Sequence, residues 1–226
     1  MTSNQWLMVA IVVMIGGVMV QAILQSQFKK YGKIMTKEGK RAETVARELL
    51  DAHGGAQMPI QAVNGNLTDH FDPRNQSLNL SRSVYGFSSI AAVSVAAHEC
   101  GHAMQYVDHY TPMKIRGNLV PIVNLGSQGA FPLFLIGLFL GVGPLVYVGI
   151  VLFSLTLLFH LVTLPVELNA SKRALEALQN GAYLDAEERI GAKKVLTAAA
   201  FTYVVAALTS LVQLARMMTL AGERRR

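Results

Sequence analysis

Two histidines and a glutamate stand close together near the middle of the chain, in the run His98-Glu99-Cys100-Gly101-His102. This is H-E-x-x-H spacing, and residues four apart on a helix project from the same face. Both imidazoles could therefore reach one Zn²⁺, which binds histidine nitrogens at about 2.0–2.1 Å. Glu99 is turned by about 100° from His98 on such a helix. Its carboxylate would lie beside the metal, where it can hold a water and accept its proton.

The residues around this motif indicate a buried helix. The preceding run, 88–97, is rich in alanine and valine, and Ser88 or Ser83 could cap its start. A surface helix with two solvated histidines is the alternative interpretation. The small apolar neighbours argue against it, because they suit burial, and an unpaired Glu99 would be costly in such a place. The motif therefore predicts a metal site.

The third zinc ligand has to come from elsewhere, because a catalytic zinc takes three protein ligands and leaves one position for water. A metzincin would place a glycine and then a histidine after the motif, but Gln105 and Asp108 stand there, and His109 has the wrong spacing. A glutamate from a later helix is the other route. Glu167 stands at the start of the second polar stretch, just after the membrane helix that we expect to end at Pro165, and we expect it to begin a new helix. Its alternative role is that of an acidic residue favoured in the first turn of a helix.

The overall composition is that of a membrane protein with a modest soluble part. Hydrophobic residues make up 52% of the 226 positions and charged residues only 15%, against about 25% charged in typical soluble domains. The net charge of +6 indicates juxtamembrane lysines that meet anionic lipid and fix topology. No nucleic-acid motif accompanies them, so we expect no nucleic acid as a partner. Cys100 is the single cysteine, which excludes an intramolecular disulfide.

Four apolar stretches have the length of about 20 residues that a bilayer requires, and they predict transmembrane helices at 5–25, 119–140, 143–165 and 195–217. No positive charge precedes the first stretch, which disfavours a cleaved signal peptide, and lysines follow it. The polar, catalytic stretches 28–118 and 167–194 should therefore be cytoplasmic. The arginines at 224–226 would then lie outside, unless the fourth stretch lies in the membrane interface. We predict one membrane domain over 1–226, since no linker divides the chain.

The stretch before the motif contains signals for one helix and two strands. Residues 37–52 have an amphipathic helical pattern that ends at His53-Gly54-Gly55. The runs 59–63 and 77–81 are typical of short strands, and the residues 69–75 of a loop. We expect a small sheet ahead of the metal-binding helix. In many zinc proteases a strand of this kind pairs with an extended substrate.

Several blocks, in their order along the chain, resemble the YugP-type membrane zinc metallopeptidases of bacteria: L-T-D-H-F-D-P-R at 67–74, L-S at 80–81, V-Y at 84–85, A-A-H-E-C-G-H-A at 96–103 and P-V-E-L-N-A-S at 165–171. The resemblance runs over most of the chain. It implies a mostly α-helical, gluzincin-like membrane zincin, with a small β element before the H-E-x-x-H helix. It also implies Zn²⁺ as the cofactor, with His98, His102 and a downstream glutamate as its ligands.

The chain is also similar to the HtpX-like membrane proteases, whose third ligand lies in an E-x-x-A-D block that corresponds to the last of these blocks, at 165–171. Glu167-Leu168-Asn169-Ala170-Ser171 fits this block except at its end. Ser171 stands where those enzymes have an aspartate that supports a ligand histidine. The resemblance therefore implies Glu167 as the third ligand, whereas the aspartate that supports a ligand histidine in those enzymes is absent here.

The chemistry that follows is hydrolysis of peptide bonds by a membrane-embedded zinc endopeptidase, with Glu99 as general base. The negatively charged oxygen of the tetrahedral intermediate, the oxyanion, needs a stabilising side chain as well. The candidate residues are His70, Tyr85, His160, Arg173 and Tyr203. His70 has the best motif context, although a structural hydrogen bond in its loop is an equal alternative.

We expect peptide or protein substrates, membrane proteins among them, in the plasma membrane of a bacterium. Contact with membrane lipid, and a membrane-protein partner or a homo-oligomer, belong to the same expectation. A site-2-type intramembrane protease is one alternative, but it would want an Asp-Gly pair, which the sequence lacks. A non-proteolytic scaffold with a structural zinc is the other, and it would need four protein ligands, usually with thiolates.

Overall fold

The computed structural model describes residues 2–223, and the arginines at 224–226 lie outside this range. The chain is mostly helical with one small sheet, as expected. The elements are α1 (Ser3–Tyr31), α2 (Ala42–Ala52), β1 (Ile60–Val63), β2 (His70–Asp72), β3 (Ser77–Ser81), α3 (Ile90–Val107), α4 (Thr111–Leu140), α5 (Gly143–Asn180) and α6 (Ala186–Glu223). They form two compact units: a helical unit of residues 2–20, 114–165 and 202–223, and a mixed unit of residues 21–113 and 166–201.

Helices long and apolar enough to cross a membrane coincide with the predicted stretches. In the described chain α1, α5 and α6 qualify individually. The two halves of α4, Thr111–Asn124 and Gln128–Leu140, are inclined by 46° and qualify only if they are taken together as one span. The structure therefore gives three or four candidate spans. All of these helices extend beyond the predicted limits. The predictions counted only the apolar residues needed to cross the bilayer, whereas the helices continue into polar residues on either side.

Helix α5 continues through Pro165, where we had expected a membrane helix to end. That expectation was wrong, and with it the idea that Glu167 begins a new helix. Proline removes one intrahelical hydrogen bond, but good helix formers follow it as far as Asn180, and burial of Val166 and Ala170 favours the continuation. Helices with membrane segments often tolerate proline for such reasons. Glu167 is thus an interior residue of a long helix.

The helical unit buries few side chains among its described residues. Phe134, Val146 and Met217 form a small buried cluster. Many large apolar side chains remain exposed instead, with Phe139 at 80% and Leu140 at 72%. Such an apolar exterior is unusual for a soluble protein and is typical of helices that face lipid.

The sheet lies in the mixed unit and has the strand order β1-β3-β2. Strand β3 is central and buried along its whole length. It pairs in parallel with β1, as Ile60 with Leu78, and antiparallel with β2, as Phe71 with Leu78. The predicted strands 59–63 and 77–81 are confirmed. The predicted loop 69–75 was wrong in part, because its residues 70–72 form β2, which pairs with β3 in a short hairpin with its turn at 73–76. The polar residues on both sides of Phe71 and the Asp-Pro turn signal had favoured a loop.

The core of the mixed unit forms mainly where α2 packs on α3. Helix α2 begins at Ala42 and not at 37 as predicted, because Gly39 adopts a left-handed φ of 63° in a turn. The N-cap of α3 is Ser89, whose hydroxyl accepts a hydrogen bond from the Ala92 N–H at 3.2 Å. Neither Ser88 nor Ser83 caps this helix.

Candidate metal centre

Helix α3 carries the two histidines on one face, as the i, i+4 spacing predicts. Helix α5 approaches this face very closely at Gly101. A Cβ atom on Gly101 would lie 2.4 Å from the carbonyl oxygen of Ala170, which is an impossible contact. Only glycine therefore allows α5 to come close enough to place Glu167 opposite His98 and His102.

His98, His102 and Glu167 converge within the mixed unit, and they form the group among the described residues that could hold a metal ion. Oε2 of Glu167 lies 3.3 Å from Nε2 of His98 and 3.5 Å from Nε2 of His102. A tetrahedral Zn²⁺ would separate its ligand atoms by roughly 3.3–3.4 Å, given bond lengths near 2.0–2.1 Å. All three side chains are largely buried, and Glu167 is only 2% exposed. The donor set and its spacing therefore fit zinc.

The other nitrogen of each histidine is also engaged. Nδ1 of His98 lies 3.1 Å from the Ser171 hydroxyl, and Nδ1 of His102 lies 3.1 Å from Oε1 of Gln105. Contacts of this kind fix the orientation of a metal-binding imidazole. Ser171 thus occupies the place that the HtpX-like resemblance gives to an aspartate, with a neutral hydroxyl in place of a carboxylate.

Glu99 lies next to this group and is 8% exposed. Its Oε2 accepts a hydrogen bond of 3.1 Å from the backbone N–H of Phe71 on β2. Burial, with a smaller contribution from the Glu167 carboxylate, raises the pKa of Glu99 to about 7. A carboxylate with a pKa near neutrality is suited to take up and release a proton at physiological pH.

Of the five candidates for oxyanion or substrate binding, His160 and Tyr203 belong to the helical unit, and the other three lie in different surroundings of the mixed unit. His70 is exposed on β2, and its Nδ1 is 2.9 Å from the carbonyl oxygen of Thr68. Tyr85 is 39% exposed, and its N–H donates to the Ser81 carbonyl at 2.8 Å. Arg173 forms an ion pair with Asp108 and donates through Nε to Asn169. Their roles at the oxyanion or substrate remain predictions.

Two residues at this site escaped the sequence reasoning. Gly101 lies inside the motif, but only its contact with α5 reveals why it is glycine. The sequence analysis considered Gln105 only as the residue that replaces a metzincin glycine. Its position three residues after His102, on the same helix face, could have predicted that its amide contacts the imidazole.

These features together define a class: a chain with apolar, membrane-type helices and a buried His₂Glu centre. The chain belongs to the family described as "Putative neutral zinc metallopeptidase", whose model matches residues 6–222. It is 44% identical over 195 residues to "Putative membrane protease YugP" of Bacillus subtilis (strain 168), and the match covers 86% of this chain and 87% of that protein. No solved structure matches the chain. The family recognised from the sequence is confirmed.

Proposed function

We propose that this protein is a membrane-anchored zinc endopeptidase in which His98, His102 and Glu167 hold the metal and Glu99 is the general base. The observation that carries the proposal is the convergence of two Nε2 atoms and one buried carboxylate at the ligand spacing of tetrahedral zinc. The family to which the chain belongs supports the same chemistry.

Each residue has a distinct task in this mechanism. Zinc held there would polarise the scissile carbonyl and lower the pKa of a bound water to about 7. The Glu99 carboxylate takes the proton from the attacking water and then passes it to the leaving amine. Its bond to the Phe71 N–H fixes one oxygen, Oε2, and leaves Oε1 to receive the proton.

The strand that would bind an extended substrate is β2. We had expected a strand next to the metal helix to do so, and β3 cannot, because β1 and β2 occupy both of its edges. Phe71 directs its N–H to Glu99 and therefore away from β3. The outer edge of β2 thus faces the general base, and we propose that a peptide substrate adds to this edge.

The proposal is tested by cleavage of an unstructured model peptide with the purified protein in detergent. Activity should disappear when a chelator strips the metal and should return on addition of zinc. A His102→Ala variant should stay inactive after the same addition. Peptide cleavage that persists in the metal-free protein, as established by elemental analysis, would contradict the proposal.

We further propose that the protein resides in the plasma membrane of a bacterium as a single multi-pass domain, with the mixed unit in the cytoplasm. The lysines that follow the first apolar stretch support this orientation. Cysteines introduced at the exposed positions Glu38 and Glu187, in a Cys100→Ser background, should resist an impermeant thiol reagent in intact cells. They should react after lysis. Labelling of either position in intact cells would contradict this orientation.

The scaffold alternative requires a fourth protein ligand to close the zinc site. The single cysteine of the sequence, Cys100, is fully buried, and its thiol donates to the Ala46 carbonyl on α2 at 3.6 Å. Burial also raises the pKa of this thiol, which disfavours the thiolate that zinc requires. The site-2 alternative has no support from α3, since this helix is not among the candidate spans of the described chain.

A further inference from the structure

Gln105 is a fully buried side-chain amide, and both of its ends are engaged. Oε1 lies 3.1 Å from Nδ1 of His102. Nε2 donates to the backbone carbonyl of Val166 at 2.7 Å and to Oδ1 of Asn169 at 2.9 Å. The amide thus connects a histidine on α3 with the segment of α5 that carries Glu167.

The orientation of this amide is determined by its partners. The Val166 carbonyl can only accept a hydrogen bond, so the group that faces it must be the NH₂ of Gln105. Oε1 therefore faces His102 and accepts a hydrogen bond from Nδ1–H, which assigns the hydrogen of the neutral imidazole to Nδ1. This places the free lone pair of the imidazole on Nε2, the atom that points to Glu167.

A chain of polar contacts continues beyond Gln105 towards the surface. Oδ1 of Asn169 also accepts a hydrogen bond from Nε of Arg173 at 2.9 Å. Arg173 forms an ion pair with Asp108 at the end of α3 and lies over the ring of Tyr110. Because Arg173 can only donate, it holds the Asn169 oxygen towards Gln105. This series of polar contacts therefore connects a partly exposed ion pair with a buried imidazole.

We propose that Gln105 is a positioning residue for His102, and that Asn169, held by Arg173, keeps Gln105 in its working orientation. The proposal rests on the proposed zinc site and goes beyond it. Without the amide, the imidazole can rotate or adopt the tautomer with a hydrogen on Nε2, and this atom then has no lone pair to offer to a metal ion beside Glu167. Loss of such an outer partner typically lowers metal affinity 10–100-fold.

The test compares the full-length protein in detergent with Gln105→Met and with Asn79→Leu. Asn79 is also a buried amide of the mixed unit, bonded to Ser77 and not to either histidine. Cobalt(II) serves as the probe, by chelator competition for affinity and by visible absorption for ligand geometry. Gln105→Met should weaken cobalt binding about 10–100-fold and alter the spectrum. Asn79→Leu should cost stability but leave both cobalt properties unchanged.

A second pair of variants keeps the inference testable if Gln105→Met fails to fold. Asn169→Asp retains both acceptor contacts and should bind cobalt as the wild type does. Asn169→Leu removes them and should bind it several-fold more weakly. Wild-type cobalt affinity and spectrum in Gln105→Met or Asn169→Leu would overturn the positioning role, and so would an equal loss in Asn79→Leu. Absence of cobalt binding in the wild type would overturn the proposed metal site itself.

Discussion

Helix α3 contributes His98, Glu99 and His102 to the centre, whereas the 166–180 part of α5 contributes Glu167 and Ser171. The residues of α3 form a motif that can be recognised from spacing alone, because two histidines four apart lie on one helix face. The residues of α5 have no such periodic spacing, since Glu167 and Ser171 are each placed by contact with a histidine on α3. A helix that carries a proposed ligand can thus lack a periodic pattern of its own.

The comparison predicts first that removing a ligand from either helix has the same, complete effect. Glu167→Ala on α5 and His98→Ala on α3 should both lose stoichiometric zinc, because two ligands cannot retain it at ordinary concentrations. Zinc content of the purified variants is the measurement. Glu176→Ala, an exposed acidic residue on the same part of α5, is the control and should keep its zinc. Unchanged zinc stoichiometry and affinity in Glu167→Ala would remove α5 from the site.

The next largest effect should come from the point where the helices meet. Gly101→Ala places a Cβ 2.4 Å from the Ala170 carbonyl, and such overpacking costs about 1–3 kcal/mol. Thermal unfolding in detergent should shift downward and zinc affinity should fall. Gly117→Ala is the matched control, since no atom lies within 4 Å of its new Cβ. If both variants unfold at the same temperature and bind zinc equally, the close contact at Gly101 is unimportant.

A smaller effect is expected at Ser171. Ser171→Ala removes the partner of His98 Nδ1 and should weaken zinc binding about tenfold, while the Glu167 ligand remains. Ser154→Ala, on the same helix but bonded to the Val151 carbonyl, should leave zinc affinity unchanged. Competition with a fluorescent chelator measures both. An affinity of Ser171→Ala equal to that of the wild type would mean that the hydroxyl contact does not orient His98.

The sequence was informative where periodicity or spacing is local. Apolar length marked the stretches within α1, α4, α5 and α6, and the i, i+4 pair marked His98 and His102. Glu167 was found as a ligand candidate even though the helix start assigned to it was wrong. Its proximity to the histidines does not depend on where α5 begins.

Most of what escaped the sequence depends on contacts between distant segments. The roles of Gly101 and Gln105 appear only when α5 lies against α3. Strand β2 escaped for a local reason, because its polar residues and the turn signal at Asp72-Pro73 favour a loop although they form a hairpin with β3. Pro165 led to a wrong prediction of a helix end. Its local helix-breaking effect is overridden by the packing of the residues that follow it in α5.

The central claim concerns Glu99, and Glu99→Gln tests it most directly. Glutamine keeps the size of the side chain, and its carbonyl oxygen can still accept the Phe71 N–H, but it cannot take a proton from water. The purified variant should carry zinc in the wild-type amount, and its peptide cleavage should fall at least 10²–10⁴-fold. It should also retain bound substrate, because the binding groups are intact. Full peptidase activity in a zinc-loaded Glu99→Gln variant would contradict the proposed mechanism.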